Sequence, residues 1–284
     1  MFVVASASEQ DGAVPTSGAV LGIDVGWSET RRSSAACILS WDDEAIEFFL
    51  CRFTAQEWDV RTSLTSLLND RHCLVAAIDG PLARGLPVVR RYRLAESMLT
   101  RAFHATIGKP GQSSSPNGIE LNTTANKTAE ILQQLALIDR ARHDHAILEE
   151  AVVEAFPTAF MGTMLGLDEV FRSGSQARSD TYYKRLTENG PCRLAGLLQR
   201  LIPGRQLTRP LTATRNHDER AAVICAATAL AVAVGEYAAV GDNDDGWIIL
   251  PPRALEGSSI GLQSWAEDAL QRQPLAQCGE RVCP

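Results

Sequence analysis

Several carboxylates stand beside apolar segments of this chain, where an unpaired charge is costly. Asp24 lies within one short apolar run, Asp79 ends another, and Asp218 and Glu219 open a long apolar stretch. Burying a carboxylate without a partner costs several kcal/mol, so these groups should be paired or should bind a cation. Oxygen ligands alone favour Mg²⁺ or Mn²⁺ over zinc. The sequence therefore predicts a divalent-metal site with Asp24, Asp79, Asp218 and Glu219 as ligands, if the fold brings them together.

Simpler roles are open for three of these residues. Asp24 could be a turn residue hydrogen-bonded near Gly26, and Asp79 could belong to an Asp-Gly-Pro turn. Asp218 could cap the helix that follows it. Each of these roles would satisfy the carboxylate without a metal.

The order of the surrounding elements predicts where the acidic groups lie. Apolar periodicity and turn residues predict strands at 20–26, 34–41, 45–53, 74–79, 152–157 and 246–250, and helices at 56–70, 88–103, 126–151 and 216–237. This is the element order of the ribonuclease H-like fold, an α/β architecture with a mixed sheet of five or six strands flanked by helices. The first and fourth of these strands lie side by side and parallel in such a sheet, so Asp24 and Asp79 should meet near one edge.

The domain organisation follows from the same pattern. The chain has 284 residues, of which 45% are hydrophobic and 21% charged, a composition typical of a globular protein. We expect a flexible tail at 1–18, one domain at 19–255 with a helical insertion at 158–210, and a helix and tail at 256–284.

Charge and cysteine content exclude several classes of function. The net charge of −7 argues against a large basic surface for duplex nucleic acid. The seven cysteines form no CxxC pair, which argues against a zinc site or a disulfide framework. The chain shows no signal peptide and no apolar stretch long enough to span a bilayer, so we expect a cytoplasmic protein without a membrane partner.

Six motifs together resemble a known family. They occur in the order GIDVGWSE, AIDGPL, RYRLAE, VVEAFPTAF, NHDERAAVICAATAL and VGDNDDGWIILPP, and they extend over residues 22–252. In this order and spacing the set is similar to domain-of-unknown-function family 429, a group regarded as predicted ribonuclease H-like nucleases. The resemblance implies a metal-dependent phosphodiesterase.

The resemblance also implies roles for individual positions. Asp24 and Asp79 match the first two acidic positions of the family, and Glu154 matches a glutamate of the fifth strand. Many relatives begin the apolar helix with an acidic residue directly before alanine, whereas Ala221 stands at that point here. Because Asp218 lies about one turn earlier, the last ligand stays open. The implied catalytic set is Asp24, Asp79, Glu154 and Asp218.

Other polar residues have two interpretations each. Glu154 could instead be a strand-end residue that faces solvent. Arg93 and Glu96 could reach the same pocket from the helix after Asp79, or form a surface ion pair. His217 could assist proton transfer, or simply stand at a helix start. The acidic loop at 242–245 is predicted to be a solvated turn.

The leading functional hypothesis is hydrolysis of a nucleic acid or another phosphodiester with Mg²⁺ or Mn²⁺ held by the carboxylates. A nucleotide-binding protein of the actin and sugar-kinase type is a second hypothesis, because residues 22–26 resemble the first phosphate loop of that class. The chain shows no second glycine-rich phosphate loop. A third hypothesis is a non-catalytic adaptor that uses the insertion at 158–210 as a partner surface.

Overall fold

The computed structural model describes residues 1–5, 15–108, 110, 112–139, 145, 151–171, 178–188 and 190–273. These described residues form nine strands and nine α-helices. The strands are β1 (Phe2–Ala5), β2 (Gly18–Asp24), β3 (Ser34–Trp41), β4 (Ala45–Phe53), β5 (Ala76–Asp79), β6 (Val152–Ala155), β7 (Gln206–Leu207), β8 (Tyr237–Asp242) and β9 (Gly246–Leu250). The helices are α1 (Glu57–Leu68), α2 (Leu94–Phe103), α3 (Pro116–Leu135), α4 (Pro157–Thr163), α5 (Leu167–Phe171), α6 (Arg178–Thr187), α7 (Arg193–Leu201), α8 (His217–Ala233) and α9 (Ser264–Gln271).

All of these strands belong to one mixed sheet with the order β1-β8-β9-β6-β5-β2-β3-β4-β7. The four inner strands β9, β6, β5 and β2 run parallel, so their carboxyl ends lie at the same edge. Strands β2, β3 and β4 form an antiparallel meander. The predicted α/β class, the meander and the parallel pairing of β5 with β2 are thus confirmed.

The predicted count of five or six strands is wrong, because β1, β7 and β8 extend the sheet. The helix predicted to reach Tyr237 ends at Ala233, since Gly235 adopts a φ of +74° that terminates the helix and lets the chain turn into β8. Residues 2–5 pair with β8, so this part of the expected tail is a strand. The two-residue β7 pairs with β4 within the segment that we expected to be all helical.

Helix α8 packs directly on the sheet, next to the edge at which Asp24 and Asp79 end their strands. A Cβ at Gly22 would overlap the backbone of Ala222 and Ala226, so the close approach of α8 to β2 requires glycine there. Most of α8 is buried and apolar, as expected of a helix covered on all sides. None of the described helices is both long and apolar enough to cross a membrane.

The opposite face of the sheet is covered by α1 and α3. An added Cβ at Gly80 would lie 2.7 Å from the Cβ of Ala125 in α3. Because successive side chains of a strand alternate between the two faces, Gly22 and Asp24 face α8, whereas Ile78 and Gly80 face α3. Helices α4 and α6 of the predicted insertion pack on one another and on α8, which places them on the same face as Asp24.

Candidate functional site

Asp24 and Asp79 occupy equivalent positions at the carboxyl ends of two neighbouring parallel strands. They are register partners in the pairing of β2 with β5, so their side chains project from the same face of the sheet. Apolar residues precede each aspartate and hold the two strands in the core. The predicted convergence of these two side chains is confirmed, whereas their roles stay predictions.

The two aspartates lie in a cavity of about 510 Å³. Its walls come from the end of α2, the starts of α4 and α8, and α6. Besides the acids, the polar residues that line it are His104, Thr158, Arg178, Ser179 and His217. Ala221 also lines the cavity, so the position at which the resemblance led us to expect an acidic residue presents a methyl group.

The carboxyl groups of Asp24 and Asp79 titrate as a pair. Burial raises the pKa of Asp79 to about 7, and the charge of Glu154 contributes to the rise. Burial also raises the pKa of Asp24 well above its usual range, with further increases from the charges of Asp79 and Asp218. The hydrogen bond between the two carboxyl groups raises the pKa of Asp24 and lowers that of Asp79, which places the shared proton on Asp24. At neutral pH the pair has affinity for a positive charge.

Asp218 lies near this pair but has its own cationic partner. Its Oδ2 accepts a hydrogen bond from Arg52 Nη2 at 2.8 Å. The helix cap is Asn216, whose side chain accepts a hydrogen bond from the backbone of Glu219, so the alternative in which Asp218 caps α8 is wrong. Asp218 occupies the second position of the helix, and its charge adds to the negative potential at Asp24.

The predicted set of four metal ligands is only partly assembled. Asp24 and Asp79 line the cavity, Asp218 is ion-paired beside it, and Glu219 is half-buried and does not line it. Over the described parts of the chain, no group of three or more His, Cys, Asp or Glu side chains is arranged to hold a metal ion. Two carboxylates are still a sufficient protein contribution for Mg²⁺, which usually keeps several water ligands and binds one or two carboxylates together with substrate phosphate. The donors of Asp24 and Asp79 therefore fit this cation.

Glu154 belongs to a buried ion cluster on the other face of the sheet. It is the register partner of Ile78 rather than of Asp79, so its side chain points toward α3. Both of its carboxylate oxygens accept hydrogen bonds from Arg93, at 2.7 and 2.6 Å, and the backbone N–H of Leu82 adds a third. Glu154 is only 4% exposed, so the alternative in which it faces solvent is wrong.

Arg93 and Glu96 complete this cluster. Arg93 Nε donates to Glu96 Oε1 at 2.9 Å, and both residues are buried, so the alternative of a surface ion pair is wrong. The hydroxyl of Ser113 also binds the Glu96 carboxylate. The structure places Arg93, Glu96 and Glu154 together, and none of them lines the cavity. The cluster ties the segment after β5 to β6 and thereby supports the end of β5.

His217 is both a helix-start residue and part of the cavity wall. Its Nδ1 lies 3.2 Å from Asp180 Oδ1, which also accepts a hydrogen bond from Arg220 at 2.9 Å. This contact ties the start of α8 to α6 and orients the imidazole ring. The predicted assistance to proton transfer stays a prediction.

We did not predict four of the residues that line the cavity, namely His104, Thr158, Arg178 and Ser179. Thr158 follows a parallel strand, and loops at the carboxyl ends of parallel strands commonly form sites, so a weak indication existed there. The other three are brought to the cavity by packing between elements, for which the sequence contains no pattern.

The segment at 22–26, which resembles a phosphate loop in sequence, ends in backbone contacts that an open phosphate loop would not make. The backbone N–H of Gly26 donates to Ser34 Oγ at 3.0 Å, and Ser34 Oγ donates to the carbonyl oxygen of Gly26 at 3.2 Å. This amide is therefore engaged within the protein.

The acidic loop at 242–245 forms the predicted turn, which joins β8 to β9. Asp242 Oδ1 accepts hydrogen bonds from the backbone N–H groups of Asp244 and Asp245.

Fold and site together define an α/β protein with a mixed sheet and an acidic cavity at the carboxyl edge of its parallel strands. A family model described as "Protein of unknown function (DUF429)" matches residues 22–246. Because the match covers well over half of the chain, the protein belongs to this family. A search of curated proteins and a search of solved structures found no match to the chain.

Proposed function

We propose that the chain is a metal-dependent phosphodiesterase of the ribonuclease H-like type, with Mg²⁺ or Mn²⁺ held by Asp24 and Asp79. The observation that carries the proposal is the register pairing of these two aspartates inside a cavity that has room for a substrate. Two carboxyl groups that repel each other and retain a proton near neutrality gain stability when a divalent cation replaces that proton.

The remaining walls of the cavity suit a phosphodiester. Arg178 lines the cavity and carries a permanent positive charge that can contact phosphate oxygens. His217 stands at the start of α8, where the helix dipole favours an anion. The hydroxyl groups of Thr158 and Ser179 can hydrogen-bond the phosphate or a sugar.

Each residue of the site has a role that follows from its position. A bound divalent cation lowers the pKa of water and neutralises charge on a phosphoryl group. Asp24 and Asp79 hold and orient this charge at the end of the sheet, and Arg52 keeps Asp218 in place beside them. Asp180 orients the ring of His217 toward the cavity, where the imidazole can accept or donate a proton at a reacting oxygen.

The test is Mn²⁺ binding by titration calorimetry, followed by Mn²⁺-dependent cleavage of bis-p-nitrophenyl phosphate. The wild-type chain should bind Mn²⁺, and D24N or D79N should weaken binding by at least about 10–100-fold, the loss commonly seen when even a residue that orients a ligand is removed. D268N is the matched control because Asp268 is an exposed aspartate of α9. D24N that folds normally and keeps full Mn²⁺-dependent activity contradicts the proposal, and a wild-type chain that binds no Mn²⁺ favours the adaptor hypothesis.

A further inference from the structure

Trp27 presents an exposed indole three residues after Asp24. Its relative exposure is 50%, which is high for a large apolar side chain beside a buried strand. Among the described residues, no aromatic ring or guanidinium stacks on this indole. About half of the indole is therefore open to solvent, and no described aromatic or cationic group occupies it.

The backbone on either side of Trp27 is held in place. Gly26 is joined to Ser34 by the two hydrogen bonds described above. On the other side, the carbonyl oxygen of Ser28 accepts a hydrogen bond from the backbone N–H of Ala55 at 2.9 Å. An exposed aromatic ring on a braced backbone loses little conformational entropy when a ligand stacks on it.

The loop that carries Trp27 adjoins the acidic cavity. Arg52 Nη2 contacts both the carbonyl oxygen of Arg32, in this loop, and the carboxylate of Asp218, whose charge acts on Asp24. Arg31 and Arg32 are exposed and place two positive charges on the same loop. Because consecutive Cα atoms are about 3.8 Å apart, the Cα of Trp27 lies at most about 11 Å from that of Asp24.

We propose that Trp27 is the stacking platform for an unpaired base of a single-stranded nucleic acid whose backbone enters the cavity. The inference rests on the proposed function, and it names the substrate class of the same site. Bases of a duplex are already stacked, whereas those of a single strand can stack on an aromatic side chain. The exposed Arg31 and Arg32 can contact phosphates of the same strand, and the net charge of −7 restricts the contact to a short segment.

The experiment measures binding of fluorescein-labelled 12-nucleotide strands of thymidine or uridine by fluorescence anisotropy, in EDTA so that no cleavage occurs. W27A should weaken binding by roughly 5- to 150-fold, the usual contribution of one stacked base. W27F should stay within about threefold of the wild type, because phenylalanine retains a stacking face. W58A is the matched control, since Trp58 is also exposed, at 64%, but lies on α1.

Three outcomes overturn the inference: a wild-type chain that does not bind either strand, W27A that binds as tightly as the wild type, or W58A that weakens binding as much as W27A. Binding in EDTA does not depend on the metal. If the wild-type chain shows Trp27-dependent binding but no Mn²⁺-dependent cleavage, the proposed function is therefore wrong and the role of Trp27 in binding stands. If the chain cleaves bis-p-nitrophenyl phosphate but binds neither strand, the proposed role of Trp27 is wrong and the proposed function stands.

Discussion

Asp24 and Asp79 repel each other at the end of two parallel strands, and a proton shared between them reduces that repulsion. This arrangement is costly for the folded protein once the pair is ionised. A cost of this kind is typical of functional sites, where a ligand that relieves it binds with a correspondingly larger gain.

The raised pKa of Asp79 makes stability depend on pH. Between its ordinary value of 3.8 and about 7, the folded protein holds a proton that the unfolded chain has released, so stability falls as the pH rises through this window. D79N removes the buried charge and should therefore raise the melting temperature in EDTA at pH 8, by roughly 2–4 °C for each kcal/mol that burying this charge costs. Near pH 4 the substitution should change the melting temperature little.

Thermal unfolding followed by circular dichroism from pH 4 to pH 8 measures this effect, with D268N as the control. Mn²⁺ affinity of the wild type should also increase as the pH rises through 7, because Asp79 must lose its proton before its carboxylate can bind the cation. A D79N protein with the same stability difference from wild type at pH 4 and pH 8 would refute the assigned titration.

Arg93 neutralises two buried carboxylates, those of Glu96 and Glu154. R93M leaves both without their cation and should lower the free energy of unfolding by roughly 3–5 kcal/mol. R91M is the matched control, because Arg91 is exposed and its ion pair with Asp245 should contribute only about 0–1 kcal/mol. Urea denaturation measures both, and equal effects of the two substitutions would show that the buried cluster does not stabilise this segment.

At the scale of elements, the contact between α8 and β2 sets the distance between the start of α8 and the aspartates at the end of the sheet. Strand alternation turns the side chain of Asp24 toward α8, and Gly22 lets the helix backbone lie close to the strand. The residues before and after Gly22 in β2 face the opposite side, so they do not interfere with this contact.

G22A should weaken this packing. The added methyl group meets rigid backbone of α8, so we expect a loss of at least about 1–3 kcal/mol of stability and weaker Mn²⁺ binding as the helix start shifts. G196A is the matched control within α7, where the added group meets the flexible end of Ile260 and the helix gains propensity. Urea denaturation with calorimetry tests the pair, and a fully stable G22A with wild-type Mn²⁺ affinity would contradict this account.

The sequence predicts those helices and strands correctly whose structure depends mainly on the residues within the segment. The meander and the crossover through α1 follow from apolar runs, turn residues and handedness, and these placed Asp24 beside Asp79. The direction of Glu154 could not be predicted, because β6 is buried on both faces and its four residues show no alternation that fixes the register.

At the scale of the whole molecule, the site depends on packing between distant segments. His104 comes from the end of α2, Arg178 from α6 and His217 from α8, and only the folded chain brings them to one cavity. The unpredicted edge strands β1 and β7 have the same origin, since a short strand at the edge of a sheet is stabilised mainly by its neighbour. The sequence indicates the acidic pair but not the walls around it.

The most direct test of the shared cation is a crystal of the protein soaked in MnCl₂ near pH 8, with the manganese located by anomalous scattering. We expect a manganese peak in the cavity within coordination distance of carboxylate oxygens from both Asp24 and Asp79. A cavity without a manganese peak, or a peak that contacts neither aspartate, would contradict it.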